Sequence, residues 1–304
     1  TMDQGDFIPQ NMKETPQEAV TQTEKLFSKY HGAGNDRIHV WFALRQVMSS
    51  SPELVKQIGE HARRLNTGVH MHLAEHLDEV GYCLKTYGLR PAEWLDSLGL
   101  LGPNLLTAHA VRLCDREVKL LADRGVHIVH CPRSNVNHQG FTKTPLFMAL
   151  GANIGLGTDG ASGWRIDLFE QMRLLKSAMQ ARFGLEINDP LVLPAVETLK
   201  MATQGGANAL LLGDRIGTIE NGKRADLILL QINKPHIRPT LNLPSTLVMA
   251  AGPDDVEDVI IDGHLLMRDR VLLHLDEEAI RYEAGKAIER VAKRAGLKTN
   301  FLYS

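Results

Sequence analysis

Four side chains that could bind a metal ion and transfer protons stand at the ends of short apolar runs. His72 and Glu75 lie three residues apart after one run, His109 ends a second, and Asp159 follows a third. Imidazole and carboxylate groups are ligands of catalytic zinc, and a nearby carboxylate can act as a general acid or base. Because the strands of a parallel barrel present their carboxyl ends at one face, the spacing predicts a metal-dependent hydrolase with its site there.

The order of these motifs resembles the amidohydrolase superfamily, in particular its branch of aminohydrolases that act on heteroaromatic rings. The resemblance runs over nearly the whole chain, up to about residue 278. It rests on His72-Leu-Ala-Glu75, Thr107-Ala-His109 and Asp159, together with segments 130–135 (HCPRSN), 201–207 (MATQGGA) and 216–230. It implies an α/β fold: a (β/α)8 TIM barrel, of which strands 4 to 8 are visible, followed by a small C-terminal β-sandwich portion.

The resemblance also implies roles for the four side chains. His72 and Glu75 correspond to barrel strand 5, His109 to strand 6 and Asp159 to strand 8. His72 and Asp159 are the expected metal ligands, and Glu75, His109 and Asp159 the expected catalytic residues. Zn²⁺ is the expected ion, with Fe²⁺ as the alternative. A single ion is favoured because segment 38–43 holds no lysine that could be carboxylated to bridge two.

Four residues are expected to contact the substrate: Arg45, His109, Asn135 and Trp164. His109 polarises either the substrate or the water on the metal. Arg45 follows the first visible strand, where members of this branch commonly carry an arginine. Asn135 either shapes the pocket or holds its loop, and Trp164 either stacks on a flat heterocycle or packs under the following helix.

The expected reaction is hydrolytic deamination of an amino-substituted heteroaromatic ring, as in an adenosine or purine-type nucleoside. Water attacks the amine-bearing carbon, Asp159 and Glu75 share the proton transfers, and ammonia leaves. A triazine-type chlorohydrolase or aminohydrolase of the same superfamily is the first alternative, because the same nucleophile can displace chloride or an alkylamine.

A second alternative comes from the string His72-Leu-Ala-Glu75-His76, which also fits the His-x-x-Glu-His motif of a class of metallopeptidases. In that motif both histidines bind zinc from one helix. Segment 68–73 is instead a β-type apolar run, and the peptidase interpretation leaves the two later motifs without a role. We therefore predict a strand through segment 68–73.

By sequence, the chain divides into a barrel portion at residues 1–213, a β-sandwich portion at residues 214–275 and a terminal helix at residues 276–304. A complete barrel has eight strands in about 250 residues, so three further βα units would need roughly 90 residues. The strand-1 His-x-His pair of the family is not found in its expected context. We therefore expect that this sequence begins inside a longer protein.

Composition narrows the class of protein. The 304 residues carry 34 basic and 36 acidic side chains, a net charge of −2 that gives no reason to expect nucleic acid as a partner. No apolar run approaches the ~20 residues of a membrane span, and the N-terminal residues lack a signal-peptide pattern. Three widely spaced cysteines fit a reducing cytoplasm. The expected partner is a small-molecule substrate, with a homo-oligomer left open.

Apolar periodicity predicts alternating strands and helices after residue 35. Expected strands lie near residues 38–43, 68–73, 105–109, 127–131, 152–157, 225–231 and 256–262. Expected helices lie near residues 52–65, 91–98, 115–123, 167–181 and 276–295, with a helical stretch from 190 to 212. Ser51 and Asp115 are the expected N-caps of two of these helices.

Overall fold

The structure, a computed structural model, describes residues 1–160 and 165–297. The chain forms two compact units, one of residues 1–223 and 235–253, the other of residues 224–234 and those from 254 onward. Within the described residues, no helix is both long and apolar enough to cross a lipid bilayer. The division expected from the sequence, with boundaries after residues 213 and 275, stays a prediction.

A five-stranded parallel sheet forms the centre of the first unit. Its strands follow chain order: β1 (Phe42–Leu44), β2 (Val69–Leu73), β3 (Leu105–His109), β4 (His127–His130) and β5 (Ile154–Leu156). Helical segments connect successive strands, as in consecutive βα units of a (β/α)8 barrel. The register aligns the strand ends, because Leu73 pairs with His109 and His130 pairs with Leu156.

Helices accompany the strands along the first unit. They are α1 (Pro16–Tyr30), α2 (Ala33–Asp36), α3 (Pro52–Arg64), α4 (Leu77–Tyr87), α5 (Pro91–Ser97), α6 (Asp115–Asp123), α7 (Pro132–His138), α8 (Thr144–Ala149), α9 (Leu168–Met179), α10 (Ala195–Lys200), α11 (Gly206–Ala209) and α12 (Leu243–Met249). Single π-helical turns follow α9 and α10, at Gln180–Gly184 and Met201–Gly205. The core includes the fully buried side chains of Phe42, Leu54, Ile58, Met71, Leu105, Ile128 and Phe147.

The helix starts read from the sequence are correct in one case and shifted in the other. Ser51 caps α3, because its side chain accepts a hydrogen bond from the N–H of Leu54. In α6, however, Cys114 is the N-cap and Asp115 is the first helical residue. The Glu117 carboxylate, in the first turn, accepts from the N–H of Cys114 at 2.9 Å. It satisfies the donor at the helix start and makes a cap by Asp115 unnecessary.

Some elements differ from the periodicity prediction. β1 was expected from residue 38 but begins at Phe42. The backbone N–H of Val40 donates to the ring of His31, and the carbonyl of Val40 accepts from the hydroxyl of Thr67. These bonds take the place of hydrogen bonds to a neighbouring strand. The helical stretch expected at 190–212 runs from Ala195 to Ala209. α4 was not predicted, although its apolar residues recur at helical spacing.

The second unit contains an antiparallel sheet in the order β6 (Leu227–Leu230), β7 (Val256–Ile261), β8 (His264–Arg268) and β9 (Val271–Leu272). Only β6 and β7 were predicted. Asp262 and Gly263 join β7 to β8 with φ of 52° and 76°, the Asp-Gly hairpin signal that the strand prediction overlooked. Helix α13 (Glu277–Arg294) follows, at the place where the terminal helix was expected.

Candidate metal centre

The ends of β2, β3 and β5, strands of one parallel sheet, bring predicted site residues together. In the pairing of β2 with β3, Leu73, the residue after His72, lies opposite His109. Asp159 follows β5. The ligand atoms of His72, His109 and Asp159 all lie within 4.8 Å of one another. The rings of the two histidines stack with their centroids 5.2 Å apart. His72 and Asp159 therefore converge, and His109 joins them as a third ligand candidate.

The backbone turns sharply where the strands deliver these side chains. Ala74, which precedes Glu75, has a φ of 48°, and His109 and Asp159 have φ of 75° and 52°. This left-handed region is rarely adopted by residues other than glycine, and each such conformation costs of order 1–3 kcal/mol. Surrounding contacts hold the turn at His109, whose carbonyl accepts a hydrogen bond from Thr142 Oγ1 at 2.6 Å. The strained backbone at these positions lowers local stability, and it directs the side chains of the site residues.

The main chain fixes the tautomer of His72. Its Nδ1 lies 3.0 Å from the carbonyl oxygen of Arg45, which can only accept, so Nδ1 carries the proton of the neutral ring and Nε2 keeps a lone pair. Burial, followed by the positive charge of Arg45, lowers the pKa of His72 to about 4. At neutral pH the ring is uncharged and can bind a metal ion.

His109 is almost completely buried and offers the third ligand atom. Burial lowers the pKa of His109, against the opposing charges of Glu75 and Asp159. Its Nδ1 lies 2.8 Å from Nδ2 of the Asn135 side chain. Among the described residues, its Nε2 has no hydrogen-bond partner although it is buried. Such an orphaned nitrogen beside His72 and Asp159 fits a metal ion, because coordination would satisfy it.

Ser134 holds one carboxylate oxygen of Asp159. Ser134 Oγ donates a hydrogen bond to Oδ2 at 2.6 Å, and this leaves Oδ1 for a cation. Ser134 and Asn135 are neighbours on α7, which begins directly after β4. This one helix therefore orients both Asp159 and His109.

Glu75 lies beside the three ligand candidates rather than among them. Its Oε1 is 3.8 Å from Nε2 of His109. Gln46 donates to Oε2 at 3.4 Å and Gln139 donates to Oε1 at 3.3 Å, while the backbone N–H of Glu75 donates to Glu79 Oε2 at 3.1 Å. A carboxylate held by two amides next to the cation site has the position that a proton shuttle needs.

The metallopeptidase interpretation is wrong for this fold. Residues 69–73 form β2, and α4 begins at Leu77 with His76 as its N-cap. His72 and His76 therefore do not share a helix. The His76 ring instead approaches the carboxylate of Glu75, at 3.4 Å from Oε1. His70, on β2, meets the His72 ring edge to face with centroids 5.6 Å apart and is not part of the ligand group.

The residues expected to contact substrate have different surroundings. Arg45 is exposed just after β1. Asn135 is completely buried, and its side chain contacts His109. Trp164 lies outside the described residues. Substrate contacts by Arg45, His109, Asn135 and Trp164 stay predictions.

Sequence reasoning missed the residues that surround Glu75. Gln46 and Gln139 lie 29 and 64 positions away along the chain, and an amide side chain carries no signal of a metal site. Glu79 had a readable signal. It lies four residues after Glu75 in the first turn of α4, where an acidic side chain commonly binds exposed N–H groups.

Family and structural comparisons agree with this geometry. The sequence matches the family described as the amidohydrolase family over residues 4–266. The chain belongs to the amidohydrolase family. A relative from Desulforudis audaxviator, named 5-methylthioadenosine/S-adenosylhomocysteine deaminase, is 37% identical over 285 residues, which cover 93% of this chain and 64% of the relative. A deaminase of the same name from Pelotomaculum thermopropionicum is 37% identical over 278 residues, with 91% and 63% covered.

Two solved structures resemble this amidohydrolase. The adenosine deaminase of Xanthomonas campestris with bound zinc has a TM-score of 0.88 and 32% identity, over 94% of this chain and 64% of that one. Atrazine chlorohydrolase TrzN of Arthrobacter aurescens, complexed with zinc, has a TM-score of 0.89 and 25% identity, over 95% and 64%. The predicted family and barrel fold are confirmed. The chain spans 64% of the length of these proteins.

Proposed function

We propose that this amidohydrolase is a metal-dependent deaminase. It hydrolyses an amino-substituted heteroaromatic ring of the adenosine or purine type and releases ammonia. The observation that carries the proposal is the meeting of His72, His109 and Asp159 within 4.8 Å, with Glu75 beside them. The names of its relatives, deaminases of methylthioadenosine, S-adenosylhomocysteine and adenosine, support ring deamination. The substrate is then a small nucleoside-like molecule.

Zn²⁺ is the ion that we propose, with Fe²⁺ as the alternative. Two imidazoles and a carboxylate form a ligand set typical of catalytic zinc, and zinc is named in both structural relatives. His72 and His109 would each hold the ion through a ring nitrogen, and Asp159 through Oδ1. When bound, the ion supplies a water with its pKa lowered from about 15.7 to about 7, a nucleophile at neutral pH.

Glu75 and Asp159 perform the proton transfers in this proposal. The Glu75 carboxylate, 3.8 Å from His109 Nε2, can take a proton from the attacking water and deliver it to the ring nitrogen next to the reacting carbon. Asp159, whose Oδ2 accepts a hydrogen bond from Ser134, is the second carboxylate that can take up a proton, and it would pass that proton to the departing ammonia. His109 contributes a neutral imidazole rather than a charge, since burial lowers its pKa.

Triazine hydrolysis is the competing reaction for the same residues. The chlorohydrolase is 25% identical to this chain, and the named deaminases are 32% to 37% identical. The higher identity favours deamination. The assay therefore pairs ammonia release from methylthioadenosine, S-adenosylhomocysteine and adenosine with chloride release from a chlorotriazine.

The experiment measures zinc affinity and turnover for two proteins: this chain, and this chain joined to the part of the Desulforudis relative that it does not cover. We expect His72→Ala to weaken zinc binding by at least about 10-fold, since losing even an outer-shell partner costs 10- to 100-fold. His70→Ala, on the same strand, is the matched control and keeps the affinity. Glu75→Gln keeps zinc and loses about 10²–10⁴-fold in turnover.

Three results would contradict the proposal. The first is that neither protein binds zinc, and the second is that His72→Ala and His70→Ala bind it equally. The third is that the zinc-loaded proteins release chloride but no ammonia, which would assign the site to triazines.

A further inference from the structure

Helix α13 (Glu277–Arg294) presents an apolar face to solvent. Of its residues, all of which lie in the described part of the chain, only Ala292 is buried. The side chains of Ile280, Ile288 and Val291 are 50%, 46% and 61% exposed. Helices of globular proteins gain most of their stability by packing an amphipathic face, and contiguous exposed apolar surface marks an interaction site. The apolar face of α13 therefore has the character of a binding surface.

The apolar residues of α13 follow a coiled-coil spacing. Four of them recur at intervals of four, three and four positions, which are alternating d and a positions of a heptad: Ile280, Ala284, Ala287 and Val291. These four residues form the apolar stripe of α13. The stripe is long enough for one short helix to pack along another, and the two alanines at its centre let the helix axes approach closely.

The charged residues along one edge of the apolar stripe define its partner. Glu283 and Arg290 each precede an a position, so both are g residues on the same edge. When two copies of α13 pack antiparallel, a residues meet d residues, and Val291 of one copy lies against Ile280 of the other. In this register Glu283 lies opposite Arg290 of the second copy. Two-fold symmetry gives the reverse pair as well, because the same surface patch is used by both copies.

The ends of α13 are complementary in the same register. Its first turn carries the acidic Glu277 and Glu278, and its last turn carries the basic Lys293 and Arg294. Glu277 and Arg294 continue the heptad at a and d, so they meet in the outermost layers of the antiparallel pair, where the helix dipoles also attract. A parallel pair would instead bring like charges together at both ends. The charge pattern of α13 therefore favours an antiparallel copy of itself.

We propose that α13 is a dimerisation surface: its apolar stripe packs antiparallel on that of a second copy of this chain, with two Glu283–Arg290 pairs along one side. The competing contact of Glu283 is an exposed pair with Lys286 in the same helix, at 3.7 Å, and such pairs contribute little. A second copy is the partner that fits, because the acidic half of α13 is matched by its own basic half. The inference goes beyond the proposed function and does not rest on it.

Analytical ultracentrifugation of the whole chain and of three charge variants tests the pairing. We expect the wild type to form dimers in the micromolar range, since two helices of this length give a small interface. Glu283→Arg and Arg290→Glu should each weaken the dimer by about 10-fold, because both symmetric pairs become repulsive. A mixture of these two variants restores it, because the two arginines of one chain then face two glutamates of the other. Glu289→Arg, the same charge reversal on the opposite face of α13, is the matched control and leaves the dimer unchanged.

The mixture also distinguishes a lost contact from a lost fold, because chains that fail to fold cannot restore each other's dimer. A wild-type chain that stays monomeric throughout the micromolar range overturns the inference. A dimer that neither reversal weakens, or a mixture no stronger than its two components, overturns it as well. The last arm uses this chain joined to the segment of the Desulforudis relative that it does not cover. A monomeric joined protein would assign the apolar stripe to that segment rather than to a second copy, and a dimer with the same response to the variants supports the proposal.

Discussion

Glu79 makes the stability of this fold depend on pH in a direction opposite to that of most carboxylates. Its side chain is completely buried, and burial raises its pKa from 4.5 to about 7. The N–H groups of Ala74 and Glu75 oppose this rise, and the charge of Glu75 adds to it. One of its oxygens, Oε1, has no hydrogen-bond partner within the described residues. The folded protein therefore prefers Glu79 protonated.

The magnitude follows from the two pKa values. Below pH 4.5, the group is protonated in both the folded and the unfolded chain. Between pH 4.5 and 7, only the unfolded chain releases the proton, so the free energy of unfolding falls as the pH rises and levels off above 7. At 1.36 kcal/mol per pKa unit, Glu79 contributes a loss of about 3 kcal/mol across this window.

The substitution Glu79→Gln removes the ionisable group. It keeps an oxygen that can accept from the N–H of Glu75, which in the wild type lies 3.1 Å from Oε2 of Glu79. The quantity of interest is the free energy of unfolding of the variant minus that of the wild type. We expect this difference to be about 2–3 kcal/mol larger at pH 8 than at pH 5. Urea unfolding of the metal-free chain at both pH values measures it. A relative stability that is the same at both values, or that is higher at pH 5, would refute the reasoning.

Glu117 provides the matched control. It is as completely buried as Glu79, but it is paired with Arg90, whose Nε donates to it at 2.6 Å. Glu117→Gln breaks this pair at both pH values. We expect a loss of about 3 kcal/mol at pH 5 and at pH 8 alike, because removing one partner of a buried pair leaves the other uncompensated.

Two neighbouring glycines and one helix cap supply further predictions. Gly205→Ala places a Cβ 2.0 Å from the carbonyl oxygen of Ile154, and we expect thermal unfolding to report a loss of about 1–3 kcal/mol. In Gly206→Ala the added Cβ meets no atom closer than 3.8 Å, and the residue lies in helix α11. We therefore expect the free energy of unfolding to rise by up to about 1 kcal/mol. An equal effect of the two changes would contradict the packing argument. Ser51→Ala removes the hydrogen bond to Leu54 at the start of α3 and costs about 1 kcal/mol of unfolding free energy, whereas an unchanged urea midpoint would show that the cap is not needed.

The chemistry of the site was readable from the sequence because each part of it is local. A polar side chain directly after an apolar strand lies at the end of that strand, and the carboxyl ends of parallel strands share one face. His72, His109 and Asp159 each follow this pattern, so their convergence needed no long-range information. The strand and helix order was readable for the same reason, apart from elements such as α4 and β8 whose signals were overlooked.

Partners distant in the chain were not readable. His109 lies 26 residues from Asn135, and Glu75 lies 64 residues from Gln139. No pattern in either segment indicates that these amides turn toward the site rather than toward solvent. The burial of Glu79 could not be predicted from the sequence either, because a glutamate in the first turn of a helix is usually exposed.

The sequence by itself determined which groups can act: two imidazoles, two carboxylates and the strands that deliver them. Only the tertiary structure decided the protonation state in which each group acts. The tautomer of His72 depends on a carbonyl oxygen 27 residues away, and the raised pKa of Glu79 depends on the packing that excludes water from it. Residue types and spacing do not specify dielectric surroundings or the partner at a second ring nitrogen, because both arise only when separate segments pack together.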